Sequence, residues 1–290
     1  MTVSAHRPSM LRRPRDLVLL AVVGVVVAAA LLLLVSPRHR AFYLGSMRTT
    51  RARPSAAPPL STPTFPAPPP TVRPVSTVPR PPGPDAAGRI RIPLSTGMPG
   101  RLPVEGVPLG WQLKEFTGRA AIELVRDDGH IALRMVSDRA SFVLYRDVVV
   151  DLARTPRLAW SWKVKQLPRG GDVRARATDD QAAQVYLIFP RWPDPLSQSD
   201  VVGYVWDSRA PTDTHVTSPK AQNVRVIVVE SGQGNVGTWR HEVRDVGQDY
   251  AAVFGRKAPR VGKIAVMVDS NDTGSEAEAL FGELAFLPSR

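Results

Sequence analysis

Alternation of apolar and polar residues with a period of two dominates the chain after about residue 88. The segment LAWSWKVKQL at 158–167 shows it most clearly, with Trp160, Trp162 and Val164 on one face and Lys163 on the other. Successive side chains of a strand point to opposite faces of its sheet. The segment therefore predicts a half-buried strand of the kind found in antiparallel sheets.

The same pattern recurs along the C-terminal two thirds of the chain. Ten segments carry it: 121–127, 130–136, 141–147, 158–167, 181–189, 201–207, 223–231, 238–244, 263–269 and 283–287. Turn-forming residues separate most of them, and the single helical pattern is DVGQDYAAVFG at 245–255, which ends at a glycine. The sequence thus predicts an all-β fold, an antiparallel jelly-roll-like β-sandwich with one short helix, as a single domain over residues 88–290.

A different pattern occupies residues 17–35, where nineteen consecutive residues are apolar or glycine. As a helix they would extend about 28 Å, the thickness of a hydrocarbon core. We therefore expect a transmembrane signal anchor in contact with the lipid bilayer, after a basic tail at 1–16. A cleaved signal peptide is the alternative, but its apolar region would be shorter and its small residues would follow that region.

Residues 36–87 read as a proline-rich disordered linker. Thirteen of the residues between Pro54 and Pro84 are proline and none is acidic, a composition that favours an extended polyproline II chain of roughly 95 Å. Arginines flank the apolar segment on both sides, so charge does not decide orientation. The short leader favours a single-pass protein of the cytoplasmic (inner) membrane with its domain on the extracytoplasmic or periplasmic side; a domain held to the cytoplasmic leaflet is the alternative.

The formal net charge of +12 is concentrated before the domain. Residues 1–89 contain twelve arginines and two aspartates, so the remaining residues carry only about +2. A nucleic-acid-binding domain would carry a basic patch of its own, and the sequence therefore argues against a nucleic-acid partner. The absence of cysteine excludes disulfides, thiolate metal sites and cysteine nucleophiles.

Two acidic loops are candidates for a calcium site. Their oxygen-bearing residues are Asp172, Asp179, Asp180, Asp269, Asn271 and Asp272. Calcium prefers oxygen ligands, and loops at the end of a sandwich can supply them. Asp and Asn also terminate strands because their side chains cap turns. The spacing is not that of an EF-hand, so both interpretations stay open, and a metal site requires the two loops to meet.

Exposed aromatic rings are candidates for a sugar-binding platform, because an aromatic face offers a flat apolar surface. Trp192 lies in a proline-bounded loop, Tyr204 and Trp206 share one face of a strand, and Trp239 follows a glycine-rich turn. Trp192 is the best candidate for an exposed ring. The strand position leaves platform and core equally open for Tyr204 and Trp206, and Trp239 is ambiguous between the two.

No catalytic motif accompanies these residues. The histidines His130, His215 and His241 lack metal-ligand spacing, and GxSxG, phosphate-loop and HExxH motifs are absent. Glycoside hydrolysis needs two facing carboxylates, which the sequence neither excludes nor locates. Arg240, Glu242 and Arg244 share one face of the strand at 238–244, and Trp239, His241 and Val243 share the other. This pattern predicts a ladder of solvated charges.

The ordered motifs LAWSWKV (158–164), ATDDQAAQVYLIF (177–189), YVW (204–206), WRHEVRDVGQDYAAVFG (239–255) and VDSNDTG…FGELAF (268–286) resemble a bacterial family, domain of unknown function 3047. The resemblance implies an envelope protein with a carbohydrate-binding-module-like sandwich and no assigned activity. Together these observations favour a non-catalytic module for a glycan or other cell-envelope polymer. A hydrolase with an unrecognised carboxylate pair and a structural partner-binding domain are the alternatives.

Overall fold

The computed structural model describes residues 80–94, 100–191 and 199–289. The predicted tail, anchor and most of the linker lie outside these residues, as does Trp192. Within the described ranges, no helix is long and apolar enough to cross a bilayer.

The described residues form fourteen strands and one α-helix. In chain order they are β1 (Ile90–Ile92), β2 (Val104–Glu105), β3 (Gln112–Thr117), β4 (Ala121–Asp127), β5 (His130–Asp138), β6 (Ser141–Val150), β7 (Arg157–Gln166), β8 (Ala183–Phe189), β9 (Asp200–Asp207), β10 (His215–Thr217), β11 (Val224–Ser231), β12 (Arg240–Asp245), α1 (Val246–Phe254), β13 (Val261–Asp269) and β14 (Glu276–Leu287).

These strands form two seven-stranded sheets. Sheet A has the order β12-β7-β14-β5-β4-β2, with β1 also paired to β14, and sheet B has the order β10-β11-β9-β8-β13-β6-β3. All pairings are antiparallel except that of β9 with β11, which is parallel. The predicted all-β sandwich with one short helix is confirmed, and the parallel pair is a departure from the predicted antiparallel arrangement.

Aromatic side chains from both sheets fill the centre of the core. Trp160 of β7 stacks on Tyr204 of β9 with ring centroids 5.1 Å apart, and Trp162 lies 6.2 Å from Trp206. All four rings are buried, so the alternation in β7 did identify the core-facing side. Rings of this size bury large apolar areas and hold the two sheets together.

The helix α1 closes one end of the sandwich. The Asp245 side chain accepts a hydrogen bond from Gln248 N at 2.9 Å, which caps the first turn. Gly255 ends the helix with φ at +67°, a left-handed conformation that favours glycine. Both ends agree with the predicted helix.

The predicted charge ladder on β12 needs a correction. Arg240 and Glu242 lie opposite Trp162 and Trp160 in the register, so they are on the core side of sheet A. Glu242 accepts a hydrogen bond from Trp162 Nε1 at 3.3 Å. The ladder is half-buried and hydrogen-bonded to the core residue Trp162. This is because β12 is an edge strand of sheet A and the inner side of β12 lies at the border of the core. The outward side carries His241 and Val243, both exposed.

Candidate functional site

A groove lies on the outer face of sheet A and has a volume of about 460 Å³. We call it the Trp239 groove. Strands β12, β7 and β14 form its floor, and the segments before β1 and at the start of β5 contribute to its walls. Its polar and aromatic lining includes Arg89, Arg91, His130, Trp239, His241 and Glu283.

Trp239 rests on the floor of this groove. A Cβ atom on Gly282 of β14 would lie 3.3 Å from Trp239 Cζ3 and would collide with Ser161 Oγ of β7. The indole therefore packs directly over Gly282, where a larger residue would collide with Ser161 and crowd the ring. A register shift in β14 between Phe281 and Leu284 accompanies this glycine, as expected for a bulge beside a closely approaching group.

Polar partners fix the orientation of the indole. Trp239 Nε1 donates a hydrogen bond to Asp127 Oδ2 at 3.0 Å. Lys163 Nζ lies 6.0 Å from the centroid of the indole ring, and the His130 ring meets it edge-on at 6.0 Å. The half-buried ring is thus held from below and at its edge while it lines the groove.

Asp127 is strongly bonded to the lysines of β7. Burial opposes its ionisation, but hydrogen bonds from Lys163 and Lys165 lower the pKa of Asp127 to about 2. Burial likewise opposes the charge of Lys163, and its bonds to Asp127 and Asp128, both 2.7 Å, raise the pKa of Lys163 to about 12. The support beneath Trp239 is therefore charged on both sides at neutral pH.

A second groove of about 430 Å³ lies on the same face of sheet A. We call it the Arg134 groove, and its lining includes Glu123, Val125, Asp127, Arg134, Lys165 and Glu278. Arg134 bridges two strands by pairing with Glu278 of β14 at 2.8 Å and Glu123 of β4 at 3.0 Å. The bond to Glu278, although opposed by burial, raises the pKa of Arg134.

Neither groove offers a free pair of carboxylates among the described residues. In the Trp239 groove the Glu242 side chain accepts from Trp162 on the core side, which leaves Glu283 facing outward. In the Arg134 groove Glu123 and Glu278 both accept from one guanidinium. Glycoside hydrolysis requires a carboxylic acid that donates a proton to the leaving group, and the ion pairs with Arg134 favour the ionised form of both glutamates.

The structure corrects the platform interpretation for Tyr204 and Trp206, which are completely buried. Tyr204 donates to Asp249 Oδ2 at 2.9 Å, and Trp206 Nε1 donates to Gly232 O at 3.1 Å. The other side of β9 is also covered, because Val205 belongs to a second small apolar cluster. Of the four predicted platform residues, Trp239 is the one that the described residues place in a groove.

The two predicted acidic loops do meet. Asp180 accepts hydrogen bonds from the backbone N–H groups of Asp272 and Thr273, at 3.1 and 2.6 Å. Burial and the neighbouring Asp180 carboxylate raise the pKa of Asp269 to about 8. Asn271 is also in this cluster, since its Nδ2 donates to Asp272 Oδ1 at 3.0 Å. Asp172 does not join it and pairs with Arg174 at 2.7 Å.

A lysine supplies the positive charge in this acidic cluster. Lys220, from the loop between β10 and β11, pairs with the Asp272 carboxylate and donates to Asp179 O at 3.2 Å. Burial raises the pKa of Asp179 to about 6, with Lys220 acting in the opposite direction. No group of three or more His, Asp or Glu among the described residues is arranged to hold a metal ion. The calcium site stays a prediction, and Asp172 lies outside the cluster that the other five residues form, because its carboxylate pairs with Arg174.

Sequence reasoning missed the partners of Trp239, because they come from four different strands. One signal was present: an isolated glycine inside the apolar segment FGELAF, the usual mark of a bulge or a close approach in a strand. Nothing in the sequence indicated that Lys220 lies in the acidic cluster, since a lysine in a polar loop is usually solvated.

A family model described as "Protein of unknown function (DUF3047)" matches residues 109–285. No curated protein matches the chain. Among solved structures, the family 11 carbohydrate-binding module from Clostridium thermocellum, in complex with a β-1,3-1,4-mixed-linked tetrasaccharide, aligns with 71% of this chain and 98% of its own, at 8% identity and a TM-score of 0.38.

Two glycoside hydrolases show similar likeness. The endoglucanase Cel12A from Rhodothermus marinus aligns with 64% of this chain and 99% of its own, at 10% identity and a TM-score of 0.38. The glycoside hydrolase domain of Endo-D from Streptococcus pneumoniae aligns with 62% of this chain, at 9% identity and a TM-score of 0.34. The present chain spans only 22% of that Endo-D chain. These likenesses assign no ligand to the present chain.

Proposed function

Since the chain belongs to the DUF3047 family of proteins of unknown function, we propose a function from its own groove: the sandwich is a non-catalytic binding module that holds a glycan of the cell envelope in the Trp239 groove. The observation that carries the proposal is the indole of Trp239, which lies over Gly282 on the floor of a groove. Sugar rings present flat C–H faces that pack on such a surface.

The surroundings of the indole suit a polyhydroxylated ligand. His130, His241 and Arg91 line the same groove and supply hydrogen-bond donors and acceptors around an apolar centre. Ligand sites commonly combine an apolar surface with a few polar groups that orient the ligand. Because Asp127 and Gly282 already hold the indole in place, little side-chain entropy would be lost on binding.

The proposal includes a membrane tether. Residues 17–35 would anchor the chain in the inner membrane, and the linker at 36–87 would let the module reach the envelope polymer on the extracytoplasmic side. Alkaline phosphatase fused after residue 290 is active only outside the cytoplasm, so an active fusion in the membrane fraction is the expected result. An inactive fusion would place the module inside and contradict this orientation.

The glycan proposal is tested by affinity electrophoresis of the purified full-length chain through gels that contain bacterial cell-wall glycans or other polysaccharides. Retention by at least one polymer is expected, and Trp239→Ala should weaken it at least about tenfold because the stacking surface is lost. Phe116→Ala is the matched control, since Phe116 is 53% exposed on β3, outside both grooves.

Three results would contradict the proposal. Unchanged retention of the Trp239→Ala chain would exclude the groove as the site. Release of sugar from the polymer, abolished by a Glu→Gln change in either groove, would favour the hydrolase. Absence of retention by every polymer would favour a structural, partner-binding domain.

A further inference from the structure

Asp127 connects the linings of the two grooves. Asp127 Oδ2 accepts from the indole of Trp239, and Asp127 Oδ1 pairs with Lys165 Nζ at 3.0 Å. Trp239 lines the first groove, Lys165 lines the second, and Asp127 stands between them. Through these two contacts of Asp127, the linings of the two grooves are adjacent on the outer face of sheet A.

Both grooves also follow the same strand. The first reaches Leu287 of β14 and the second reaches Glu278. Nine residue steps separate these ends, which is about 30 Å at the usual rise of a strand. This length is several times that of one sugar ring, so a single sugar would leave most of the face empty.

The cationic side chains of the two grooves are matched by carboxylates. In the Trp239 groove, Arg89 pairs with the neighbouring Asp85 at 3.1 Å and Arg91 pairs with Glu283 at 3.3 Å. In the Arg134 groove the balance is three to three: the cationic side chains are Arg126, Arg134 and Lys165, and the carboxylates are Glu123, Asp127 and Glu278. This face therefore does not carry the excess positive charge that gives the whole chain its net charge of +12.

Most of these charges are also paired within the face. Arg91 pairs with Glu283 at 3.3 Å, and Arg134 pairs with two glutamates. A carboxylated or phosphorylated sugar would have to displace a carboxylate that already occupies the cation. A hydroxyl group needs no displacement, because a paired carboxylate or guanidinium keeps further lone pairs or N–H groups for hydrogen bonding.

We infer that this face selects an uncharged, linear glycan chain long enough to occupy both the Trp239 and the Arg134 grooves. The inference rests on the proposed glycan-binding function and adds to it the charge and the minimum length of the ligand. The Trp239 groove supplies the stacking surface. The Arg134 groove supplies polar groups that bind hydroxyls further along the same chain.

The experiment measures binding of the full-length chain to an array of immobilised oligosaccharides of one to eight units, each length present in neutral, carboxylated and amino forms. Affinity should rise with length for the neutral series until both grooves are filled. The affinity should also change less than about twofold between roughly 0.05 and 0.5 M NaCl, because screening acts on net charge.

One variant acts on the Arg134 groove alone. Glu278→Gln keeps the shape of the side chain and leaves Arg134 paired with Glu123, but it adds one net positive charge to the groove. It should weaken binding of the long neutral chains roughly fivefold, by loss of a charged acceptor. It should leave the shortest neutral binders unchanged and strengthen binding of carboxylated chains. Melting temperatures verify that the variant is folded.

The outcomes separate the inference from the proposed function. Preference for charged over matched neutral chains, or equal affinity for short and long chains, would overturn the inference. So would a Glu278→Gln chain that binds every length and charge class as the wild type does, while Trp239→Ala still loses binding; the proposed function would then stand. Absence of binding to every oligosaccharide would refute the proposed function and the inference with it.

Discussion

Replacing Asp269 by asparagine should change the pH dependence of stability in a direction that the structure fixes. Asp269 is 5% exposed at the end of β13, and burial together with the Asp180 carboxylate raises its pKa from 3.8 to about 8. Between these two values the folded protein binds one more proton at this site than the unfolded chain does. The stabilisation that the folded state gains from this bound proton is therefore complete below about pH 4. It decreases as the pH rises and is lost at about pH 8.

The size of the effect follows from proton linkage. When the folded state binds one more proton than the unfolded chain, the free energy of unfolding falls by about 1.4 kcal/mol for each unit by which the pH is raised. For a domain of about 200 residues this corresponds to roughly 3 to 6 °C in melting temperature per pH unit. Asparagine cannot ionise, and its amide can donate to Asp180. The Asp269→Asn chain should therefore gain stability relative to the wild type across this range.

The assay compares thermal unfolding of the two chains in steps from about pH 4.5 to pH 9 at constant ionic strength. Asp179 titrates in the same cluster, with a pKa of about 6, so the difference between the chains isolates Asp269 better than either profile alone. Asp138→Asn is the control, because the Asp138 side chain is 60% exposed. Parallel profiles for wild type and Asp269→Asn would refute the reasoning, since they would show a carboxylate that titrates alike in both states.

Two further predictions concern single contacts. Gly282→Ala should displace the indole and weaken glycan retention, because the new methyl group collides with Ser161 Oγ and crowds Trp239; a Ser161→Gly change in the same chain should restore part of the retention in affinity electrophoresis, and no restoration would contradict the steric cause. Lys220→Met removes the ammonium group that opposes the raised pKa of Asp179; its loss of melting temperature should be larger at about pH 8 than at about pH 5, and equal losses would contradict the charge-compensating role.

The pattern of apolar and polar residues along the sequence was sufficient to predict the strands and the helix whose two faces differ in polarity. Strand β7 alternates between apolar core-facing residues and mostly polar outward-facing residues, and α1 carries its apolar positions and both of its end signals within eleven residues. Strands such as β1 and β10 have three residues each, too few to show a period. Strand β3 is exposed along its whole length, so no alternation marks it.

Pairing and site geometry depend on contacts that no local pattern contains. The parallel pairing of β9 with β11 is a long-range choice, as is the second apolar cluster that covers Val205. That cover explains why Tyr204 and Trp206 could not be assigned from their strand, which is apolar on both faces. Trp239 lines a groove, as a platform residue would, but Gly282, Ser161 and Asp127 reach it from other strands.

The pairing of β1 with β14 has a mechanical consequence for a tethered module. Only three residue pairs join them, from Ile90 with Phe286 to Ile92 with Leu284. In the proposed tethered arrangement, tension from the linker would act first on this short pairing, whereas a polymer bound on sheet A would pull on the long strands β7 and β14. Because Arg89 and Arg91 line the Trp239 groove, peeling of β1 under load would remove one wall of the groove. The proposed glycan site would then lose part of its lining in the same step in which Ile90 and Ile92 leave the hydrophobic core.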